Sequence, residues 1–230
     1  MDLIRFIRSI VISFLLISLA SCQSGFGFNV GIDWVDFVQF NNIGYIRIYQ
    51  DVSIDNRELT YYDSIKYNVA DNVHSPGYRK KNGDAAFLKA GTPVYTISGY
   101  TPEFRLAIKQ EQKLLIYEAD TNPNARKGSD LLDIGGKVEY IGVNSGTDGT
   151  TELAVIKDIQ QVEELIHLIL DAPVDQSSQN TGSEQYFLAF HLNDETTTAR
   201  SFWLDTGLLS RGIRLPEEFG KAIRTALDKH

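Results

Sequence analysis

Residues 158–173 read DIQQVEELIHLILDAP, and this segment decides the fold class of the chain. Asp158 stands where a helix N-cap is preferred, and Gln161 follows three residues later, which is a variant of the capping box. Pro173 ends the pattern. Apolar residues recur between them at the three- and four-residue spacing of one helix face, namely Val162, Leu165, Ile166 and Ile169. The segment therefore predicts an amphipathic helix that buries one face against another element.

Short segments rich in β-branched and aromatic residues flank that helix and predict strands. They are Lys137–Val143, Thr151–Ile156, Tyr186–Leu192 and Thr198–Leu204. A last helix is predicted to open with Pro216 at its first position and Glu217-Glu218 in its first turn. Two helices on one face of an antiparallel sheet bury both apolar stripes. The sequence predicts an α+β fold, mainly antiparallel sheet, with two C-terminal-half helices in a ββαββα pattern after a β-rich N-terminal half.

Gly135-Gly136 marks the predicted boundary between two subdomains. Residues 32–134 form the predicted β-rich subdomain, and residues 135–230 form the predicted α+β subdomain. Within the first, the run Ile32–Tyr49 predicts a hairpin, because apolar and aromatic segments flank Asn41-Asn42, a favoured turn pair.

Two carboxylates near the start of this hairpin are candidates for a polar site. Asp33 and Asp36 lie on either side of Trp34. Since acidic residues are mostly exposed, we expect both on a solvent-facing edge.

The first 22 residues form a leader that ends in the chain's only cysteine. Arg5 and Arg8 precede an apolar run from Ile10 to Ala20, which is too short for a comfortable transmembrane span of about 20 residues. Leu19-Ala20-Ser21-Cys22 follows the order aliphatic, small, small, cysteine. This segment resembles the signal peptide and lipobox of bacterial lipoproteins. The alternative is an uncleaved N-terminal helix that anchors the chain and leaves Cys22 a bystander thiol.

The resemblance implies an anchor and a location. Residues 1–21 would be removed as the signal peptide, and residues 22–31 would be a lipidated tether. Cys22 would carry a diacylglycerol on its sulfur, with acyl chains such as palmitate, and would hold the protein on the extracytoplasmic face of the cell membrane. Two acyl chains attach stably where one binds only marginally.

The last third of the chain is also similar to modules in surface lipoproteins of Bacillus-type Gram-positive bacteria. The similarity rests on Asp158–Leu170, Tyr186–His191 and Leu204–Gly212, together with the segment Leu215-Pro216-Glu217-Glu218-Phe219. Those lipoproteins have no assigned activity, so the resemblance implies a host and a compartment but no reaction.

The charge of the chain limits its partners. The formal net charge is −8, and removal of Asp2, Arg5 and Arg8 with the leader changes it to −9. An acidic domain is repelled by phosphate backbones and by anionic headgroups. We therefore expect no nucleic-acid partner and no flat docking on the membrane.

The sequence contains no motif that assigns a reaction. It lacks a Gly-x-Ser-x-Gly elbow, a His-Glu-x-x-His pair, a P-loop and a dinucleotide fingerprint. The segment Asp120–Leu131 begins like a calcium loop, but Pro123 interrupts it and Leu131 stands where a bidentate glutamate is needed. His167 and His191 have no second ligand at metal spacing. We predict no catalytic residue, no metal and no cofactor.

The leading hypothesis is a lipid-anchored lipoprotein whose domain binds a protein or small-ligand partner without catalysis. The loops at residues 72–84, which carry a local basic patch, and at residues 175–184 are the candidate contact segments. The alternative is a cell-envelope enzyme, such as a hydrolase acting on wall material. A cleft with convergent titratable side chains would favour the enzyme, and a shallow aromatic patch would favour binding.

Overall fold

A computed structural model describes residues 32–53, 57–178 and 182–229. The predicted signal peptide, the tether and Cys22 lie outside these ranges. Within them, no helix is both long enough and apolar enough to cross a membrane.

The first sheet has eight strands, in the order β3-β6-β7-β8-β2-β1-β5-β4. Its strands are β1 (Phe37–Phe40), β2 (Ile43–Ser53), β3 (Leu59–Ser64), β4 (Tyr67–Asn68), β5 (Asp84–Ala85), β6 (Pro93–Ile97), β7 (Arg105–Gln110) and β8 (Lys113–Thr121). Neighbouring strands are antiparallel apart from β4 and β5, which are parallel. A short helix, α1 (Val69–Asn72), follows β4.

The turn at Asn41 and Asn42 creates the predicted hairpin of β1 and β2. Both residues have positive φ, 48° and 63°. Two-residue hairpins need this left-handed backbone to match the twist of the strands, and asparagine tolerates it better than most residues. Phe40 then pairs with Ile43 and Phe37 with Ile46, so the predicted hairpin is confirmed.

The second sheet has six strands, in the order β10-β9-β11-β12-β13-β14, and all its neighbours are antiparallel. Its strands are β9 (Val138–Ser145), β10 (Glu152–Ile156), β11 (Gln185–Leu192), β12 (Thr197–Trp203), β13 (Leu208–Leu209) and β14 (Ile213–Arg214). A short 3-10 turn, Ser210–Gly212, separates β13 from β14.

Two amphipathic helices cover apolar surface beside this sheet, α2 (Ile159–Asp171) and α3 (Glu217–Leu227). The Asp158 side chain accepts a hydrogen bond from the Gln161 backbone N–H at 2.9 Å, so the predicted cap is confirmed. Pro216 is the N-cap of α3 rather than its first helical residue. With mainly antiparallel sheets and these helices, the predicted α+β class is confirmed.

The largest apolar core lies between the second sheet and its helices. Phe219 of α3 packs edge-on against Phe202 of β12, with ring centroids 5.3 Å apart. Burying such a side chain contributes about 1.5–3 kcal/mol. Leu131 and Ile134 join the same core, although they precede the predicted subdomain boundary at 134/135, which stays a prediction.

Asp36 is not on a solvent-facing edge, which corrects the prediction made from its neighbours. Its carboxylate is buried and accepts hydrogen bonds from the Tyr117 hydroxyl at 2.9 Å and from Arg47 Nη1 at 3.4 Å. Its partners stand 11 and 81 positions along the chain, so the local pattern around Trp34 gives no sign of them. Asp33 is exposed as expected.

Candidate functional site

Two of the open clefts in the described part of the chain bring polar side chains together from segments far apart in the sequence. The Trp203 cleft has a volume of about 360 Å³, and the Arg57 cleft about 600 Å³. Both fall in the range of small-ligand pockets, about 300–1,000 Å³. Trp203 ends β12, whereas Arg57 precedes β3.

A buried polar network lies beside the Arg57 cleft and joins the two sheets. Arg105 of β7 is fully buried and donates to Glu118 Oε1 of β8 through Nε at 2.9 Å and Nη2 at 2.6 Å. From β12 of the other sheet, Thr198 Oγ1 donates to Glu118 Oε2 at 2.6 Å, and Arg200 Nη1 donates to it at 3.1 Å. Buried charges persist only when they are paired in this way.

The network continues to the cleft wall through Asp194, in the turn between β11 and β12. Arg105 Nη1 donates to Thr196 Oγ1 at 2.8 Å, and Thr196 Oγ1 lies 2.6 Å from Asp194 Oδ1. Arg57 donates to Asp194 twice, to Oδ2 at 2.7 Å and to the backbone carbonyl at 2.6 Å. Arg57 and Asp194, which both line this cleft, are therefore already paired with each other.

The two carboxyls of the network are held ionised. Burial alone would raise the pKa of Glu118, but the positive charges of Arg200 and Arg105 outweigh it and lower that pKa. Burial opposes ionisation of Asp194 too, yet hydrogen bonds from Thr196 and Arg57 lower its pKa to about 2. A general acid or base needs a pKa near the working pH, so neither group suits proton transfer at neutral pH.

We predict that the free energy of unfolding falls as the pH drops from about 4.5 towards 2. In that window the unfolded chain binds more protons than the folded protein at Asp194 and Glu118, so the stability that they contribute is complete above it and is lost below. Asp194→Asn should be less stable than the wild type at neutral pH and should lose less on acidification. Urea unfolding across the window measures both. An equal loss in the variant would contradict the lowered pKa of Asp194.

The Trp203 cleft brings together segments that are far apart in the sequence. Apolar walls come from Leu131, Val174 and Leu208, together with the indole of Trp203. Polar groups converge on the same space, namely Asp120, Thr121, Asn122, Gln176, Ser178, Ser210 and Arg211. An apolar pocket with a few placed polar groups is the usual form of a ligand site.

Arg211 is the most unusual residue of this cleft. Its backbone is left-handed, with φ 71° and ψ 22°, and its guanidinium forms an ion pair with Asp120. A left-handed conformation costs a non-glycine residue about 1–2 kcal/mol and is often kept at functional sites. Burial lowers the pKa of Arg211 from its ordinary value, although the side chain stays charged at neutral pH.

Gly212 extends the same strained turn. Its φ is +79°, and a Cβ at this position would lie 2.2 Å from the carbonyl oxygen of Asp175. Only glycine fits there, and the backbone N–H of Asp175 donates back to the Gly212 carbonyl at 2.9 Å. The close approach holds the segment 175–178 against the turn that presents Arg211.

The predicted contact segments have different places in the structure. Gln176 and Ser178, from the predicted loop 175–184, line the Trp203 cleft, whereas the loop 72–84 contributes to neither cleft. Sequence reasoning missed Asp120, Trp203 and Arg211 as site residues. Cys22 lies outside the described residues.

Among the residues that the structure describes, no histidine lines the Trp203 cleft or the Arg57 cleft. His191 stacks on Tyr140 with ring centroids 4.0 Å apart and shares a hydrogen bond with Thr197 Oγ1, and burial lowers its pKa. His167 is exposed on α2. Within residues 32–53, 57–178 and 182–229, no group of three or more His, Cys, Asp or Glu side chains is placed to hold a metal ion.

Comparison of the chain with models of protein families, with curated proteins and with solved structures finds no match.

Proposed function

We propose that this protein is a lipid-anchored extracytoplasmic lipoprotein that binds a ligand without catalysis, and that the Trp203 cleft is its binding site. One observation carries the choice of site: an indole and a strained, ion-paired arginine share one open cleft. Diacylglycerol on Cys22 would supply the anchor, as the lipobox resemblance implies.

The chemistry of the cleft favours a saccharide as the ligand. Asp120 disfavours an anion and Arg211 disfavours a cation, so their pair selects for neutral polar groups. Hydroxyl groups both donate and accept hydrogen bonds, which matches a wall that offers a carboxylate, a guanidinium and the carboxamide of Gln176. The Trp203 indole provides an apolar ring surface for the C–H face of a sugar.

A titration with wall saccharides tests this proposal. The chain has two tryptophans, so Trp34→Phe leaves Trp203 as the only indole. Adding soluble oligosaccharides from digested peptidoglycan should change the Trp203 emission saturably, and dextran of similar size should not. Mass analysis of the recovered saccharide should show no cleavage. Cleaved product would support the envelope-hydrolase alternative, and an unchanged emission would contradict the saccharide site.

We predict that Arg211→Gly separates binding from stability. Glycine relieves about 1–2 kcal/mol of left-handed strain, which offsets the greater freedom of the unfolded chain and the lost ion pair. The free energy of unfolding should therefore stay within about 1 kcal/mol of the wild type. Affinity for the saccharide should fall about tenfold or more, because a charge-assisted hydrogen bond is lost.

Glu111→Gly is the matched control for that substitution. Glu111 also has a positive φ, 55°, but it lies in the β7–β8 turn and does not line the Trp203 cleft. The control should bind saccharide like the wild type. If Arg211→Gly bound equally well, Arg211 would not belong to the site.

We also propose that the second half arose as a duplicated unit of two strands and a helix, the ββαββα pattern. The element order β9-β10-α2 and then β11-β12 before α3 supports it, while β13 and β14 are additions within the second unit. In this proposal the duplicated half begins at residue 135, which is the predicted subdomain boundary.

A further inference from the structure

A cluster of aromatic and basic side chains lies beside the β1–β4 region of the first sheet, and none of its residues lines either cleft. We call it the basic loop patch, and it consists of Trp34, Tyr67, Tyr78, Arg79, Lys80 and Lys81. Its three aromatic side chains are partly buried and pack against the small core around Phe37 and Val69. Tyr67 and Tyr78 stack with ring centroids 6.3 Å apart. The aromatic part of the patch is therefore held in place by the fold.

Two lysine side chains of the patch lie over aromatic rings. Lys80 Nζ is 4.7 Å from the centroid of the Phe37 ring, and Lys81 Nζ is 6.0 Å from that of Tyr78. Arg79, Lys80 and Lys81 are exposed, and none of them forms an ion pair with a carboxylate of the described residues.

The nearest acidic group of the loop is turned inward. Asp84 is buried and accepts hydrogen bonds from the Tyr78 hydroxyl at 2.9 Å and from the Lys81 backbone N–H at 2.6 Å. Its carboxylate is thereby occupied by protein donors. The loop remains locally basic on a chain whose net charge is −8.

The proposed lipid anchor brings this patch within reach of the bilayer. Trp34 stands twelve residues after Cys22. Twelve residues of random coil span about 17–21 Å on average, and twelve residues reach about 40 Å at full extension. This step rests on the proposed function, because only an acylated Cys22 fixes the start of the segment at the membrane surface.

We propose that the basic loop patch docks on anionic phospholipid headgroups and orients the anchored domain. Exposed lysine and arginine side chains are attracted to an anionic leaflet, and tryptophan and tyrosine favour the interface between headgroups and acyl chains. The acidic remainder of the domain is repelled by the same leaflet. Docking of the whole acidic surface stays disfavoured, so the patch determines which face meets the membrane.

Depth-dependent quenching of Trp34 tests this orientation. Trp203→Phe leaves Trp34 as the only tryptophan, and the mature protein purified from membranes is reconstituted into vesicles that contain bromine-labelled lipid. Quenching should be strong with about one third phosphatidylglycerol and weak with phosphatidylcholine alone, and it should weaken with salt. Equal quenching in both vesicles would overturn the proposal.

Charge reversal of the patch gives the second measurement. In the combined variant Arg79→Glu, Lys80→Glu and Lys81→Glu, quenching of Trp34 in anionic vesicles should fall to the level in neutral vesicles. Each basic side chain of the patch is expected to raise the equilibrium constant for docking on anionic vesicles about fivefold.

A second combined variant carries the same change of charge at exposed lysines outside the patch, namely Lys109→Glu, Lys127→Glu and Lys229→Glu. It should keep most of the quenching. If it loses as much as the patch variant, net charge alone governs docking and the proposed patch is wrong.

Intact-mass analysis of the same sample separates failure of the anchor from failure of docking. Lipidated protein whose Trp34 is not quenched in anionic vesicles would overturn the docking surface and leave the anchor standing. A sample without glyceride would overturn the anchor and, with it, the argument that brings the patch to the bilayer.

Discussion

Replacing Glu118 by alanine should lower the free energy of unfolding by about 3–5 kcal/mol. The substitution leaves Arg105, which is fully buried, without the carboxylate oxygen that accepts from both its Nε and its Nη2. It also leaves Arg200 and Thr198 without their shared acceptor. Asp194 Oδ2, 3.7 Å from Arg105 Nη1, compensates only part of that charge. Urea unfolding followed by circular dichroism and tryptophan fluorescence measures the loss.

Glu164→Ala is the control for this substitution, because Glu164 is an exposed residue of α2. Its effect should stay within about 0.5 kcal/mol. Since Glu118 links β8 to β12, both optical probes should report one coincident transition in the wild type. A loss below about 1 kcal/mol in Glu118→Ala, on the scale of an exposed ion pair, would show that the network does not bind the sheets together.

The elements that the sequence predicts well are those specified by neighbouring residues. The Asn41-Asn42 turn, the Asp158 cap and the apolar face of α2 each depend on contacts within a few positions. Pro216 shows the limit of this reasoning, because it stands one place before the helix that it was predicted to begin.

The network and the Trp203 cleft depend on distant pairings that no local pattern reveals. Arg105 meets Thr196 across 91 positions, and Tyr117 meets Asp36 across 81. Arg and Glu in strands ordinarily predict exposed positions, so Arg105 and Glu118 gave no sign of burial.

The residues of the Trp203 cleft were hidden for a similar reason. The sequence around Asp120 indicates only a broken calcium loop, and Trp203 is one apolar residue of a predicted strand. The dipeptide Arg211-Gly212 carried a weak signal, since a glycine after a polar residue often marks a left-handed turn. The contact of Arg211 with Asp120 could not be predicted without the sheet order.

Replacing Cys22 by alanine should have the largest effect on location. Without the thiol no diacylglycerol can be attached, and the stable hold that two acyl chains give is lost. The protein should then leave the membrane fraction or accumulate as an unprocessed precursor. Fractionation of cells followed by immunoblotting distinguishes these states from the mature, membrane-bound form.

Ser21→Ala is the matched control, because it keeps a small residue directly before the cysteine and so preserves the lipobox order. This variant should be processed and retained like the wild type. A Cys22→Ala protein that still fractionates as a mature membrane protein would show that another feature anchors the chain.

Intact-mass analysis of the native protein from its own membranes tests the anchor most directly. The proposed function predicts a polypeptide that begins at Cys22 and carries the added mass of a diacylglycerol on that residue. A polypeptide that still begins at Met1, or one that is cut elsewhere and carries no glyceride, would contradict it.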